Sequence, residues 1–198
     1  MSEPKPRKLF NVHAHHTRNT DFDAHVAQWK ADGAVRTCVA CMDEEWAQMY
    51  GYFTNSDLLP YLKKHEDHVI GLAAIRTHSD PDGPDAVDRW RGEGFRGLKL
   101  IDPGAPYDDE RFFPLYERAE KLGMPILFHT GLLGGKPGNA LYARTHSEFM
   151  RPWRLEHVAR RFPGLKIIGA HLGHPHQVEA LKLIMVAPNV HFDLSGGG

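Results

Sequence analysis

Leu9-Phe10-Asn11-Val12-His13-Ala14-His15-His16 is the stretch on which the reading of the chain turns. It opens as a short apolar strand and closes in histidines. A dinucleotide-binding α/β fold would place a Gly-rich turn at that point to receive a pyrophosphate, and that fingerprint is absent here. Two residues at i and i+2 of a strand share a face, with Cα atoms about 6.7 Å apart. That spacing lets the His13 and His15 imidazoles converge on one metal ion at roughly 2.0–2.1 Å.

Downstream of this stretch, short apolar segments alternate with helical ones. Strands are predicted over residues 9–13, 35–41, 69–75, 95–101, 125–129, 165–171 and 190–194. Helices are predicted over 23–32 (capped by Asp23 and stopped by Gly33), around Leu58, Leu59 and Leu62, over 85–92, and from Asp108 or Asp109 to Gly123. Two more carry Leu155, Val158, Ala159 and Phe162, then Val178, Leu181, Ile184 and Met185. Seven strands alternating with six helices predict a parallel α/β architecture. His129 closes the fifth strand and His171 the sixth. In a closed parallel barrel all strand C-termini meet at one mouth, so His13, His15, His129 and His171 are expected to share a divalent metal. The fold expected is therefore α/β, a TIM-like (β/α)8 barrel over residues 9–198 preceded by a tail at 1–8.

Composition sets the outer limits. The chain has 198 residues, 41% hydrophobic and 25% charged, which suits one domain with a full core. Its 24 Lys+Arg against 25 Asp+Glu leave a net charge of -1, so no nucleic-acid or membrane partner is expected. The longest apolar run, 69–75, is too short to span a bilayer, and the first residues lack an apolar signal region, so a cytoplasmic location is expected. Fourteen histidines contrast with two cysteines. Cys38-Val39-Ala40-Cys41 has redox or zinc spacing, but it lies in a strand-like run where residues three apart face opposite ways, so both cysteines are read as core. Gly135-Lys136-Pro137 is not a phosphate loop, because Pro stands where Ser or Thr would hold Mg²⁺.

The strand-end motifs together resemble the amidohydrolase superfamily, specifically its amidohydrolase-related branch, which also contains aromatic-acid decarboxylases. The resemblance is carried by Phe10-Asn11-Val12-His13-Ala14-His15, Gly94-Phe95-Arg96-Gly97-Leu98-Lys99-Leu100 and Pro125-Ile126-Leu127-Phe128-His129-Thr130-Gly131. Further matches are Phe162-Pro163-Gly164-Leu165-Lys166-Ile167-Ile168-Gly169-Ala170-His171-Leu172-Gly173 and Phe192-Asp193-Leu194-Ser195-Gly196. It implies a distorted (β/α)8 barrel with one or two divalent metals, His13, His15 and His129 as ligands, and His171 as a further ligand or as the catalytic partner of the reacting water. The family's remaining ligand and general base is an aspartate after the eighth strand, and no residue here matches it.

A divalent metal, zinc or else manganese, iron or nickel, acidifies water toward a pKa near 7 and polarises a carbonyl. The expected activity is hydrolysis of an amide, ester or lactone bond in a small molecule. A non-oxidative decarboxylase of an aromatic or unsaturated acid is the alternative, and a metal-binding barrel without turnover a third reading. Lys99, His174, Asp193 and Ser195 are candidate substrate contacts; the Leu98-Lys99-Leu100 pattern leaves the face taken by Lys99 open. The Gly-rich segment 130–139 and the loop 42–53, with Trp46, Tyr50, Tyr52 and Phe53, are expected at the rim. Arg144, Arg151 and Arg154 could hold an acidic substrate or simply be solvated. A homo-oligomer is compatible with these readings. Complete barrels run about 250 residues, so a C-terminally truncated barrel, lacking the eighth β/α unit, is expected.

Overall fold

The computed structural model describes residues 8–135 and 137–196; most of the tail, residues 1–7, lies outside the described residues. Seven strands form one sheet in sequential order: β1 (Leu9–Ala14), β2 (Ala34–Ala40), β3 (Val69–Ala74), β4 (Gly97–Leu100), β5 (Ile126–Phe128), β6 (Ile167–Gly169) and β7 (Val190–Phe192). Every neighbouring pair is parallel. The sheet curls until its two ends meet: His13 of β1 lies 2.9 Å from Asp193, one residue past β7. The TIM-like expectation is borne out for seven strands.

The helices follow from local chemistry. α1 (Phe22–Ala31) starts at Asp21, whose side chain accepts from the backbone N–H of Asp23 and Ala24. The cap is thus Asp21 and not the expected Asp23. The predicted rim loop after β2 folds as a short helix, α2 (Glu44–Tyr50), before α3 (Asn55–Lys64). Asp43 caps α2 and Gly51 ends it at φ 73, a pair of signals that outweighed its cluster of aromatics. Thr54 and Asp57 form a reciprocal capping box on α3. Proline occupies the first turn of α4 (Pro84–Gly92) and α5 (Phe113–Lys121), where its missing N–H costs nothing. A 3-10 turn, Glu110–Phe112, precedes α5, so the single helix predicted from Asp108 or Asp109 is divided. α6 (Ala140–Arg144), α7 (Arg154–Arg161) and α8 (Gln177–Val186) complete the set.

Period-2 alternation sorts each strand into two faces. Leu98, Leu100, Ile126, Phe128 and Ile167 join the main core with the helix residues Leu115, Tyr116, Leu155 and Val158. Cys38, Ala40, Leu72 and Leu127 instead form a smaller cluster inside the curl. Both cysteines are free and buried, and burial pushes the Cys38 thiol up to about 11, which fits core packing and not redox work.

Asn189 joins the last layers of this structure. Its side-chain amide, buried, lies 3.1–3.2 Å from the carbonyls of Ala159, Phe162 and Leu165 and so ties the end of α7 to the start of β7. Asn189→Ala strands these acceptors, and urea unfolding should report a loss of about 1–3 kcal/mol.

Candidate metal centre

The site grows from strand ends. His13 is the fifth residue of β1, and the pleat turns it inside the curl, 8% exposed. His129 follows β5 by one residue. His171 lies two residues past β6, in a tight turn where it and Leu172 adopt left-handed φ values of 61° and 47°. The sequence pattern extended that strand through His171, whereas the strand stops at Gly169. Gly131, in the Phe-His-Thr-Gly run, sits at φ 90, and a Cβ there would collide with the His174 carbonyl; glycine lets the two histidine-bearing loops pack together.

The four histidines form a chain of ring contacts, with centroids 4.8 Å apart for His15 and His13, 5.3 Å for His13 and His171, and 4.9 Å for His171 and His129. Each also has one ring nitrogen against a group that can only accept a hydrogen bond. His15 Nδ1 lies 2.8 Å from the Ala40 carbonyl and His13 Nδ1 2.9 Å from the Asp193 carboxylate. His171 Nδ1 contacts the Ser195 carbonyl, and His129 Nε2 lies 3.3 Å from the Leu132 carbonyl. A neutral imidazole that donates from one nitrogen presents a bare lone pair on the other. His13 Nε2 and His15 Nε2 therefore face each other at 3.0 Å with no proton between them. Two ligands of one ion, at bonds of about 2.0–2.1 Å, stand roughly 3 Å apart, so this donor set fits a divalent metal. Among the described residues, His13, His171 and Asp193 can also offer ligand atoms all within 4.8 Å of one another.

Protonation states agree with this chemistry. Burial, aided by Lys99, lowers His13 to about 4, and burial holds His15 and His129 well below the ordinary histidine value. At neutral pH these three are neutral imidazoles able to ligate a cation. Burial alone would raise the Asp193 carboxyl, but hydrogen bonds from His13 and Ser195 hold it well below the usual carboxylate range. Lys99 points inside the curl, because Leu98 and Leu100 face the helices. It is 1% exposed, with Nζ 3.5 Å from His13 Nε2, and burial lowers it to about 7.

A cavity of about 380 Å³ opens above the imidazoles, with His15, His129 and His171 at its base and Trp46, Tyr50, Tyr52, Met42 and Leu133 around it. Trp46 and Tyr50 stack at an interplanar angle of 10°. The expected rim aromatics thus line the cavity, except Phe53, which packs in the core. Gly134 and Gly135 bring the predicted Gly-rich segment to its edge; Lys136 lies outside the described residues. His174 is exposed and accepts from the Gln177 amide at 2.7 Å, away from this cavity. Asp193 and Ser195 lie past β7 and turn toward His13. Arg144 pairs with Glu45 and Asp102, Arg151 with Glu148 and Glu179, and Arg154 with Asp108. Sequence reasoning missed Ala40, Leu132 and the left-handed turn at 171–172, for which backbone carbonyls and dihedrals left no residue signal.

A family model described as amidohydrolase matches residues 12–198. No curated protein matches the chain. Among solved structures, the chain is similar to an uncharacterized TIM-barrel protein from Bordetella bronchiseptica (TM-score 0.67, 19% identity), with 88% of this chain and 59% of that one covered. It is similar to a probable 2-pyrone-4,6-dicarboxylic acid hydrolase from Acinetobacter baumannii (TM-score 0.60, 12% identity), covering 96% and 71% respectively. It is also similar to a 5-carboxyvanillate decarboxylase from Novosphingobium aromaticivorans, solved with bound manganese (TM-score 0.56, 18% identity), covering 82% and 51%.

Two outcomes follow from the site. Elemental analysis after loading with Zn²⁺ or Mn²⁺ and dialysis should find less metal on the His13→Ala/His15→Ala double variant than on wild type; undiminished metal refutes the ligand assignment. In metal-free protein the depressed histidines bind protons more weakly when folded than when unfolded. Stability should therefore be complete above about pH 6.5 and fall as pH drops toward 4, through the His13 value. The urea midpoint followed over that range tests this, and a flat profile contradicts it.

Proposed function

The chain belongs to the amidohydrolase family, and from that premise we propose that it is a metal-dependent hydrolase acting on an amide, ester or lactone bond of a small molecule. The observation that carries the reading is the set of four imidazoles, each with one nitrogen donating to an acceptor-only group and the other left as a bare lone pair. His13, His15, His129 and His171 would hold the ion. A divalent ion there supplies Lewis acidity, lowering the pKa of water and polarising a carbonyl.

The chain's own groups do the rest. His171, like His15, is a partially exposed imidazole at the cavity base, where it can also hold a water or the oxygen on which charge develops. Lys99 has no carboxylate within ion-pair distance among the described residues and is buried with Nζ 3.5 Å from His13 Nε2, so its ammonium form would place positive charge behind the imidazoles. His15, His129 and His171 form the cavity base, with Lys99 and Asp193 buried behind them; a divalent ion held there would make this base cationic, which favours an anionic substrate. The Trp46, Tyr50 and Tyr52 walls suit a flat ligand.

Those aromatic walls also favour the second reading, a non-oxidative decarboxylase, in which the same floor anchors the carboxylate of an aromatic or unsaturated acid. The test is purified chain supplied with Zn²⁺ or Mn²⁺ and offered aryl esters, lactones, anilides and hydroxylated aromatic acids. Product analysis should show turnover that chelation abolishes and that His171→Ala lowers at least 100-fold. Solvent ¹⁸O entering the product supports the hydrolase, and release of carbon dioxide supports the decarboxylase. Turnover indifferent to chelator refutes both.

A further inference from the structure

The segment after β7 makes contacts that neither substrate binding nor metal ligation requires. Asp193 Oδ1 accepts from the backbone N–H of His171 at 3.0 Å, the backbone N–H of Ser195 at 2.9 Å and the Ser195 hydroxyl at 2.6 Å. Its other oxygen, Oδ2, accepts from His13 Nδ1 at 2.9 Å. Four protein donors occupy this carboxylate, 7% exposed as a residue. The Ser195 hydroxyl also lies 2.9 Å from His13 Nδ1, and the Ser195 carbonyl meets His171 Nδ1. Two residues of this short segment, Asp193 and Ser195, therefore touch the Nδ1 atoms of two histidines that come from opposite ends of the chain.

We infer that residues 193–195 act as a clamp that sets the tautomers of His13 and His171, with Asp193 a positioning residue and not a metal ligand or substrate contact. A carboxylate and a carbonyl accept hydrogen bonds and cannot donate them, so both imidazoles carry their proton on Nδ1 and present Nε2 to the site. A hydrogen-bonding partner behind a histidine ligand fixes ring orientation and basicity, and its loss typically weakens metal binding by about 10- to 100-fold. This inference rests on the metal reading above only for its effect on affinity; the tautomers follow from the protein's own hydrogen bonds.

Asp193→Asn separates the possibilities. Three donors hold the Oδ1 position, so the amide oxygen settles there and the NH₂ group faces His13 Nδ1. An NH₂ donor requires an acceptor, which drives the His13 proton to Nε2 and removes the lone pair that faces the site. Nitrogen-15 NMR of metal-free wild type should show His13 and His171 protonated on Nδ1, and Asp193→Asn should move His13 to the Nε2–H form. Zinc titration should show dissociation about 10- to 100-fold weaker in the variant, while zinc-edge X-ray absorption at saturation shows the same number of first-shell atoms in both proteins. Ser195→Ala, which keeps both acceptors, should retain the wild-type tautomers. An Nε2–H tautomer at His13 in wild type overturns the clamp even if the variant does not fold. Loss of an oxygen from the zinc shell of the variant also overturns it, since Asp193 would then be a ligand. Wild type that binds no zinc defeats the metal reading, and the tautomers still decide the clamp.

Discussion

The hydrogen bond between His13 Nδ1 and the Asp193 carboxylate, 2.9 Å long and buried, joins residues 180 positions apart. It is the contact at which the first and seventh strands come together. The sheet itself does not pair β1 with β7, so the curl is held at the mouth by side chains and by the packing of helices behind it. In a medium of low polarity such a charge-assisted bond is stronger than in water, and its lone-pair and proton bookkeeping extends into the whole site. Asp193 must stay ionised to accept, His13 must donate, and the nitrogen that remains is the one turned toward His15 and Lys99.

The same constraint explains why polar groups can occupy the interior of the curl at all. A strand interior between Leu98 and Leu100 has one place for a side chain on the other face, and Lys99 fills it. Burying an ammonium without a partner is costly, and the cost appears as the depression of its pKa to about 7. The imidazoles around it respond in the matching direction by staying neutral. On the outward faces of the later strands, Phe128, Ile126 and Leu98 join Tyr116, Leu115 and Val158 in an ordinary apolar core.

Much of this was legible in the sequence. Apolar runs at 69–75 and 95–101, separated by a helix ending in Gly, produce parallel strands in any reading, and a histidine at the end of such a run is placed by the fold at the mouth. Boundaries were less legible: β4 and β6 are shorter than their apolar runs, since Phe95 and Leu165 pack beneath the sheet without pairing in it. The helix over 44–50 was hidden because its aromatics suggested a rim, and they serve both purposes. By sequence alone, a place near a strand end makes Asp193 a candidate substrate contact. Its partner lies at the other end of the chain, and no local pattern encodes that pairing. The face of Lys99 was undecided for a similar reason, because Leu-Lys-Leu is symmetric and only the helices packed outside the barrel break the tie.

Two of the four non-glycine residues with positive φ among the described residues, His171 and Leu172, lie at the imidazole cluster. His171 and Leu172 hold positive φ values, a conformation that costs a side-chain-bearing residue roughly 1–3 kcal/mol. Glycine follows at 173, so the chain had the means to relax the turn and did not use it at 171. What keeps the turn in place is again Asp193: its side chain accepts from the His171 N–H and its carbonyl accepts from the Leu172 N–H at 2.8 Å. Both strained residues are therefore bonded to the residue that orients His13. Relaxing the turn would release His171 from the ring cluster, take one of three donors from Asp193 Oδ1 and leave the Asp193 carbonyl without its Leu172 donor, a penalty of about 1–3 kcal/mol that is similar in size to the strain relieved. The strained turn and the carboxylate hold each other in position, so the geometry of the imidazole cluster is set by mutual constraint between β6 and β7 rather than by either strand alone.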